Sequence, residues 1–225
     1  MSLILNIDAS SAQANVSLSR DGLLLNSVLN NDQREHASFI QPAIKKMLAE
    51  ADLQLQNVDA IAVINGPGSY TGLRVALASA KGLAYVLGKP LITISTLEVM
   101  ALSALPGPPN YGSFDLVCPM MDARRLEVFT AVFDLTLHEV LPPQAMILTH
   151  DSYETVLSER KVLFFGSGAA KWQTMTSHAN ALFATGFDTV QAMANLSLAR
   201  YESKIFTDIV YSEPLYLKEF YMAKG

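Results

Sequence analysis

Residues 61–94 constrain the fold more than any other part of the chain. Ile61 to Ile64 is a continuous apolar run, which suits a strand covered on both faces. A glycine-rich loop follows, and a helix is expected from about Thr71 to Leu87. Gly88 stops that helix and Pro90 prevents its resumption. Leu91 to Ile94 then reads as a second buried strand. Two buried strands joined through a helix belong in a sheet with helices packed against it.

The residues upstream add antiparallel strands to that sheet. Leu3 to Ile7 is short and apolar. Ala14 to Ser19 alternates, Asp21-Gly22 suits a two-residue hairpin turn, and Leu23 to Leu29 returns. A helix is expected over His36–Ala51, with Phe39, Ile40, Ala43, Ile44, Met47, Leu48 and Ala51 at helical spacing. Pro42 lies within it, so the helix either starts late or bends there. Thr96 to about Ala104 also reads as helix, giving the order β-β-β-α-β-α-β-α and a mixed sheet flanked by helices. Leu105 to Asn110 reads Leu-Pro-Gly-Pro-Pro-Asn, a linker, which divides the chain into residues 1–104 and 105–225. The second part repeats the element types: strands at Leu116–Met120, Glu127–Phe133 and Val162–Phe165, then Gly166-Ser167-Gly168, then a helix near Thr189–Ser203. A duplicated fold is expected.

Charge and cysteine content exclude several functions. The 225 residues carry 16 Lys and Arg against 21 Asp and Glu, a net charge of −5. No basic run exceeds two residues, as in Lys45-Lys46 and Arg124-Arg125, so nucleic-acid binding is not expected as the main role. Cys118 is the single cysteine, which rules out an intrachain disulfide and a cysteine zinc site; a buried thiol in a reducing compartment is expected. Met1 to Asn6 reads as a strand rather than a signal peptide, and no 18 consecutive apolar residues occur. The expected location is the cytoplasm, with no membrane association.

The chemistry-bearing candidates are few. The loop Gly66-Pro67-Gly68-Ser69-Tyr70-Thr71-Gly72-Leu73-Arg74 sits between a strand and a helix, where amides can hold an anion. A dinucleotide fingerprint would need glycine at Thr71, and a P-loop would need lysine at Leu73. Two roles stay open: a tight turn capped by Ser69 or Thr71, or an anion or partner contact through Arg74. Ala76, Ala80 and Ala84, with Ser79 and Gly82 nearby, form a small-residue ridge that fits either a partner helix or the chain's own sheet. Asp8, followed by Ser10 and Ser11, is either a turn residue or a holder of a metal–phosphate group. His36, His138, His150 and His178 show no metal-ligand spacing. Asp122-Ala123-Arg124-Arg125 with Glu127 reads as a surface salt-bridge network. No Gly-x-Ser-x-Gly elbow exists, and no catalytic constellation emerges.

The segments 66–75, Ala80-Lys81-Gly82-Leu83-Ala84, Lys89-Pro90-Leu91 and Ser95-Thr96-Leu97-Glu98 resemble the bacterial TsaB (YeaZ-like) family. Patchier similarity follows at Met121-Asp122-Ala123-Arg124, Gly166-Ser167-Gly168-Ala169 and Pro214-Leu215-Tyr216-Leu217-Lys218. The resemblance implies an α/β, actin-like ATPase-domain fold with two ribonuclease-H-like lobes, the second smaller and degenerate. It also implies a role in making N6-threonylcarbamoyladenosine (t6A) beside the tRNA anticodon. In that role the chain has no active site of its own and acts as a scaffold for a catalytic paralogue, TsaD, with the ATPase TsaE as a third partner. TsaD holds a metal with a His-x-x-x-His pair, and the matching positions here are Thr96 and Met100.

The helices 36–51 and 71–87 are then the expected contact. His36, Phe39, Ile40, Ala43, Arg74, Leu77, Ala80 and Lys81 are the candidate partner-binding residues. A homodimer is expected when the chain is alone. No cofactor of its own is expected, and a nucleotide at the partner interface stays open. The alternative is a free-standing ATPase or phosphotransferase using Asp8 and the glycine loops.

Overall fold

A computed structural model describes residues 1–105 and 112–218. The linker expected at Leu105–Asn110 falls, beyond Leu105, outside the described residues. The chain divides into two compact units. One comprises Met1–Val99 and Asp188–Leu215, and the other the described residues of Met100–Phe187 together with residues 216–218.

In the first unit, β1 (Leu3–Asp8), β2 (Ala14–Arg20) and β3 (Leu23–Asn30) form the expected antiparallel meander. Asp21 and Gly22 both take positive φ, as a two-residue hairpin turn requires. β4 (Ala60–Gly66) pairs parallel with β1, and β5 (Leu91–Ser95) pairs parallel with β4, giving the order β3-β2-β1-β4-β5. α1 (His36–Glu50) begins at His36 and runs through Pro42 without interruption. α2 (Tyr70–Leu87) ends at Gly88, whose left-handed φ of 63° lets the chain leave the helix.

One face of this sheet, carrying Leu5, Ile7, Val16 and Leu18, meets Ile40, Ile44 and Met47 of α1 and Ala76 and Leu77 of α2 in one apolar core. Burying each such large aliphatic side chain contributes about 1.5–3 kcal/mol. β1 alternates, so Ile4 and Asn6 turn to the other face and are equally buried. That second face needs a cover, and α6 (Thr189–Glu202) supplies it. Ser197 Oγ donates a 2.6 Å hydrogen bond to buried Asn6 Oδ1, and the Arg200 guanidinium pairs with Glu98 and donates to Thr93 O. The division therefore differs from the expected one at 104/105. It falls inside α3 (Thr96–Ser103), between Val99 and Met100, and residues 188–215 return to the first unit because its sheet is apolar on both faces.

The second unit repeats the pattern. β6 (Leu116–Asp122), β7 (Glu127–Asp134) and β8 (Glu139–Ile147) are antiparallel neighbours. β9 (Val162–Phe165) lies parallel to β6, and β10 (Ala181–Ala184) parallel to β9. The order β8-β7-β6-β9-β10 matches that of the first sheet strand for strand. Short helices α4 (Glu154–Leu157) and α5 (Ala169–Gln173) complete the unit. Tyr153, Phe164, Trp172 and Phe183 pack together in its core, with Tyr153 and Phe164 rings 5.0 Å apart and nearly edge-on.

Candidate functional site

The glycine-rich loop is a packed backbone junction in the first unit. Its central glycines lie against the turn that leaves β1. A Cβ on Gly68 would stand 2.2 Å from Ser10 O, and one on Gly72 would stand 2.0 Å from Ala9 O. Only residues without a side chain permit that approach. Ser69 N donates to Ser10 O at 2.7 Å, and Ser69 Oγ caps α2 by accepting from Gly72 N at 3.3 Å. Leu215 N donates to Asn65 O at 2.7 Å from the other side. Thr96 Oγ1, buried at the start of α3, donates a 2.6 Å hydrogen bond to Pro67 O across a cis Gly66–Pro67 junction. These bonds give the loop the turn-and-packing geometry, with the Ser69 amide already used within the protein.

Asp8 behaves as a turn residue. Its Oδ1 accepts from both Ser10 N (2.8 Å) and Ser10 Oγ (2.7 Å). Burial pushes its carboxyl above the usual carboxylate range, against the two Ser10 hydrogen bonds and the nearby charge of His36, which pull it down. His36 itself is buried, and neither ring nitrogen has a hydrogen-bond partner among the described residues.

The eight candidate partner-binding residues separate into two groups. His36, Ile40, Ala43, Leu77 and Ala80 are buried, at 4% exposure or less, and Phe39 packs half-buried against the same core. The buried ones hold α1 and α2 to their own sheet and present no outward surface, while Phe39 stays partly exposed. The Ala76–Ala80–Ala84 ridge is likewise fully buried. Arg74 is exposed, with its guanidinium carbon 4.1 Å from the centre of the Tyr70 ring, and Lys81 Nζ donates to the carbonyls of Val210 and Ser212. The outward face of α2 is a different stripe: Tyr70, Arg74, Ala78, Gly82 and Val86, four residues apart, with Tyr85 beside it. Tyr85 and Val86 are 78% and 82% exposed, and nothing lies within 4 Å of a Cβ built on Gly82. The i+4 spacing of this stripe is present in the sequence, but which stripe faces outward depends on where the sheet lies.

Thr96 and Met100 do not make a metal site. The Thr96 hydroxyl is committed to Pro67 O. The Met100 methyl lies 2.6 Å from where a Cβ of Gly166 would stand, within the second unit. A hydroxyl and a thioether cannot replace two neutral imidazoles for a hard or borderline ion. Among the described residues no three His, Cys, Asp or Glu lie close enough together to hold a metal.

Two mixed five-stranded sheets of identical strand order, each built as a three-stranded meander plus two parallel strands, make a duplicated α/β fold with helices packed on its sheets. The sequence matches the family described as TsaD, tRNA N6-adenosine threonylcarbamoyltransferase, over residues 23–198. A Bacillus subtilis relative, "tRNA threonylcarbamoyladenosine biosynthesis protein TsaB", is 32% identical over 72% of this chain and 70% of its own length. The Escherichia coli protein of the same description is 26% identical over 96% of this chain and 94% of its own. A Pseudomonas aeruginosa crystal structure, described as similar to peptidase YeaZ, superposes with a TM-score of 0.80 at 26% identity. It covers 97% of this chain and 100% of that one. The chain belongs to the TsaB (YeaZ-like) branch of this family.

Proposed function

We propose that this chain takes part in t6A biosynthesis as a non-catalytic subunit that binds a TsaD-type transferase, with a TsaE-type ATPase as third member. The observation that carries the reading is the state of Thr96 and Met100. The family fold is intact here, and the hydroxyl that stands in a ligand position instead fastens the glycine loop. With no donor set for an ion among the described residues, the chain is read as acting through its surface.

The contact surface is the outward stripe of α2. Ala78 and Gly82 let a partner helix approach closely, and Tyr70, Arg74, Tyr85 and Val86 frame them with rings and apolar area. A partner helix laid there would form the centre of an interface burying about 1,600 Å² in total. Without the partner, the same stripe pairs with itself about a two-fold axis. Sedimentation of the chain mixed with a TsaD-type subunit tests this. Gly82→Arg, which puts a good helix former at an exposed site, should abolish the heavier species. An unchanged complex with Gly82→Arg and Ala78→Arg would move the contact elsewhere. The ATPase or phosphotransferase alternative requires tight ATP–Mg²⁺ binding by the isolated chain, which calorimetry measures directly. The Asp8 carboxylate, turned onto Ser10 within its own loop, argues against it.

A further inference from the structure

We infer that the β6–β7 hairpin of the second unit is a contact for the phosphate backbone of RNA, through Arg124 and Arg125. The tip is a three-residue loop, Arg124-Arg125-Leu126, closed by two bonds: Glu127 N donates to Arg124 O at 3.0 Å, and Ala123 N donates to Glu127 O at 3.1 Å. Its first two residues both take positive φ, 72° at Arg124 and 48° at Arg125. Left-handed backbone of this kind favours Gly, Asn or Asp, because larger side chains crowd the backbone there. The chain places two arginines where turn chemistry least favours them. A local rule broken without a packing reward is the mark of a site kept for what it binds.

Local charge supports the same reading. The two carboxylates beside the tip are already covered. Asp122 pairs with Lys171 Nζ at 2.8 Å and caps Arg124 N at 2.6 Å, while Glu127 pairs with Lys218. Both arginines are exposed, and among the described residues neither has an ion-pair partner. In a chain of net charge −5, the hairpin is therefore a local cationic point held on a short turn. Guanidinium forks match phosphate oxygens better than ammonium groups do. Two such groups provide a weak, salt-sensitive grip of their own. The choice of RNA over an acidic protein rests on the t6A reading above, in which the assembly must hold a tRNA.

Fluorescence anisotropy of a labelled, unmodified tRNA transcript, titrated with the full chain between about 50 and about 200 mM KCl, tests the inference. The variant is Arg124→Asn with Arg125→Gly, two residues that tolerate left-handed backbone, so its melting temperature should equal or exceed the parent's. It should bind tRNA at least about fivefold more weakly at low salt. It should also flatten the log–log salt slope by about 1.5, the loss of two phosphate contacts. Arg124→Lys with Arg125→Lys should keep most of the slope. No measurable tRNA binding by the parent chain, or an unchanged slope in the Asn-Gly variant, overturns the inference. So does selective loss of binding to a poly-glutamate peptide, which would mark an acidic protein as the partner. Stimulation of threonylcarbamoyl transfer, measured on the same proteins mixed with TsaD-type and TsaE-type subunits, separates the two readings. Normal stimulation with unchanged tRNA binding sinks only the hairpin, whereas absent stimulation with hairpin-dependent tRNA binding sinks only the scaffold role.

Discussion

Two glycines in one helix should respond to alanine with opposite signs. At Gly72 the added methyl would stand 2.0 Å from the carbonyl oxygen of Ala9, and ordinary contact begins near 3.4 Å. The loop and the β1 turn must therefore separate by about 1.4 Å, and both sides are backbone already tied by the Ser69–Ser10 hydrogen bond. Overpacking of this kind costs about 3 kcal/mol, and the better helix propensity of alanine returns about 1 kcal/mol. The expected net loss is about 2 kcal/mol, which lowers the urea midpoint by about 1 M at a typical slope for a domain of this size. Gly82 sits on the same helix with nothing within 4 Å, so Gly82→Ala should raise stability by about 0.5–1 kcal/mol. Far-UV circular dichroism is the suitable probe, because the single tryptophan, Trp172, belongs to the second unit and its fluorescence follows that unit alone. A Gly72→Ala midpoint equal to or above the parent's would refute the packed-junction view of the loop.

Three further outcomes follow from single groups. Thr96→Val leaves the buried Pro67 carbonyl without its donor and should cost about 1.5 kcal/mol in the same urea assay, while Thr96→Ser keeps the bond and most of the stability. The Cys118 thiol, pushed up to about 12 by burial against the hydrogen bonds from Thr130 and Tyr153, should resist a thiol reagent at pH 8 in the folded chain and react at once in denaturant. Its contribution to stability is present below the ordinary value of 9.0 and is lost as pH rises toward 12, which alkaline melts can follow. Asp8 is also shifted upward, so it favours folding below its ordinary value of 3.8 and loses that contribution as pH rises through its folded value. Asp8→Asn, whose amide oxygen can still accept from Ser10, should therefore raise the melting temperature at pH 7, with the gap closing toward pH 3.

The first sheet was readable because its signals are local: an alternating strand, a turn of Asp21-Gly22, a helix bounded by Gly88 and Pro90. β8 was not, because Pro142 and Pro143 argue against a strand. They are tolerated there because β8 lies at the sheet edge, where the partner-free side needs no ladder donors. β10, four residues long at the opposite edge, carries too short a pattern to register. The return of α6 to the first unit depends on Ser197 meeting Asn6, residues 191 positions apart, and no periodicity encodes that. Among the candidate contact residues, Ile40, Ala43, Leu77 and Ala80 lie in the core, because an apolar stripe on a helix marks the face turned to its own sheet, whereas Arg74 belongs to the outward stripe of α2. At Thr96 and Met100 residue identity alone excluded a metal pair, and the structure added what Thr96 does instead.

Threonylcarbamoyl transfer to unmodified tRNA, assayed with TsaD-type and TsaE-type subunits in the presence and absence of this chain, bears most directly on the scaffold role. Product should form only in the complete mixture, saturate as this chain reaches equivalence with the transferase, and vanish with Gly82→Arg. Product formed by this chain in the absence of the transferase, or an equal yield when it is left out, would contradict it.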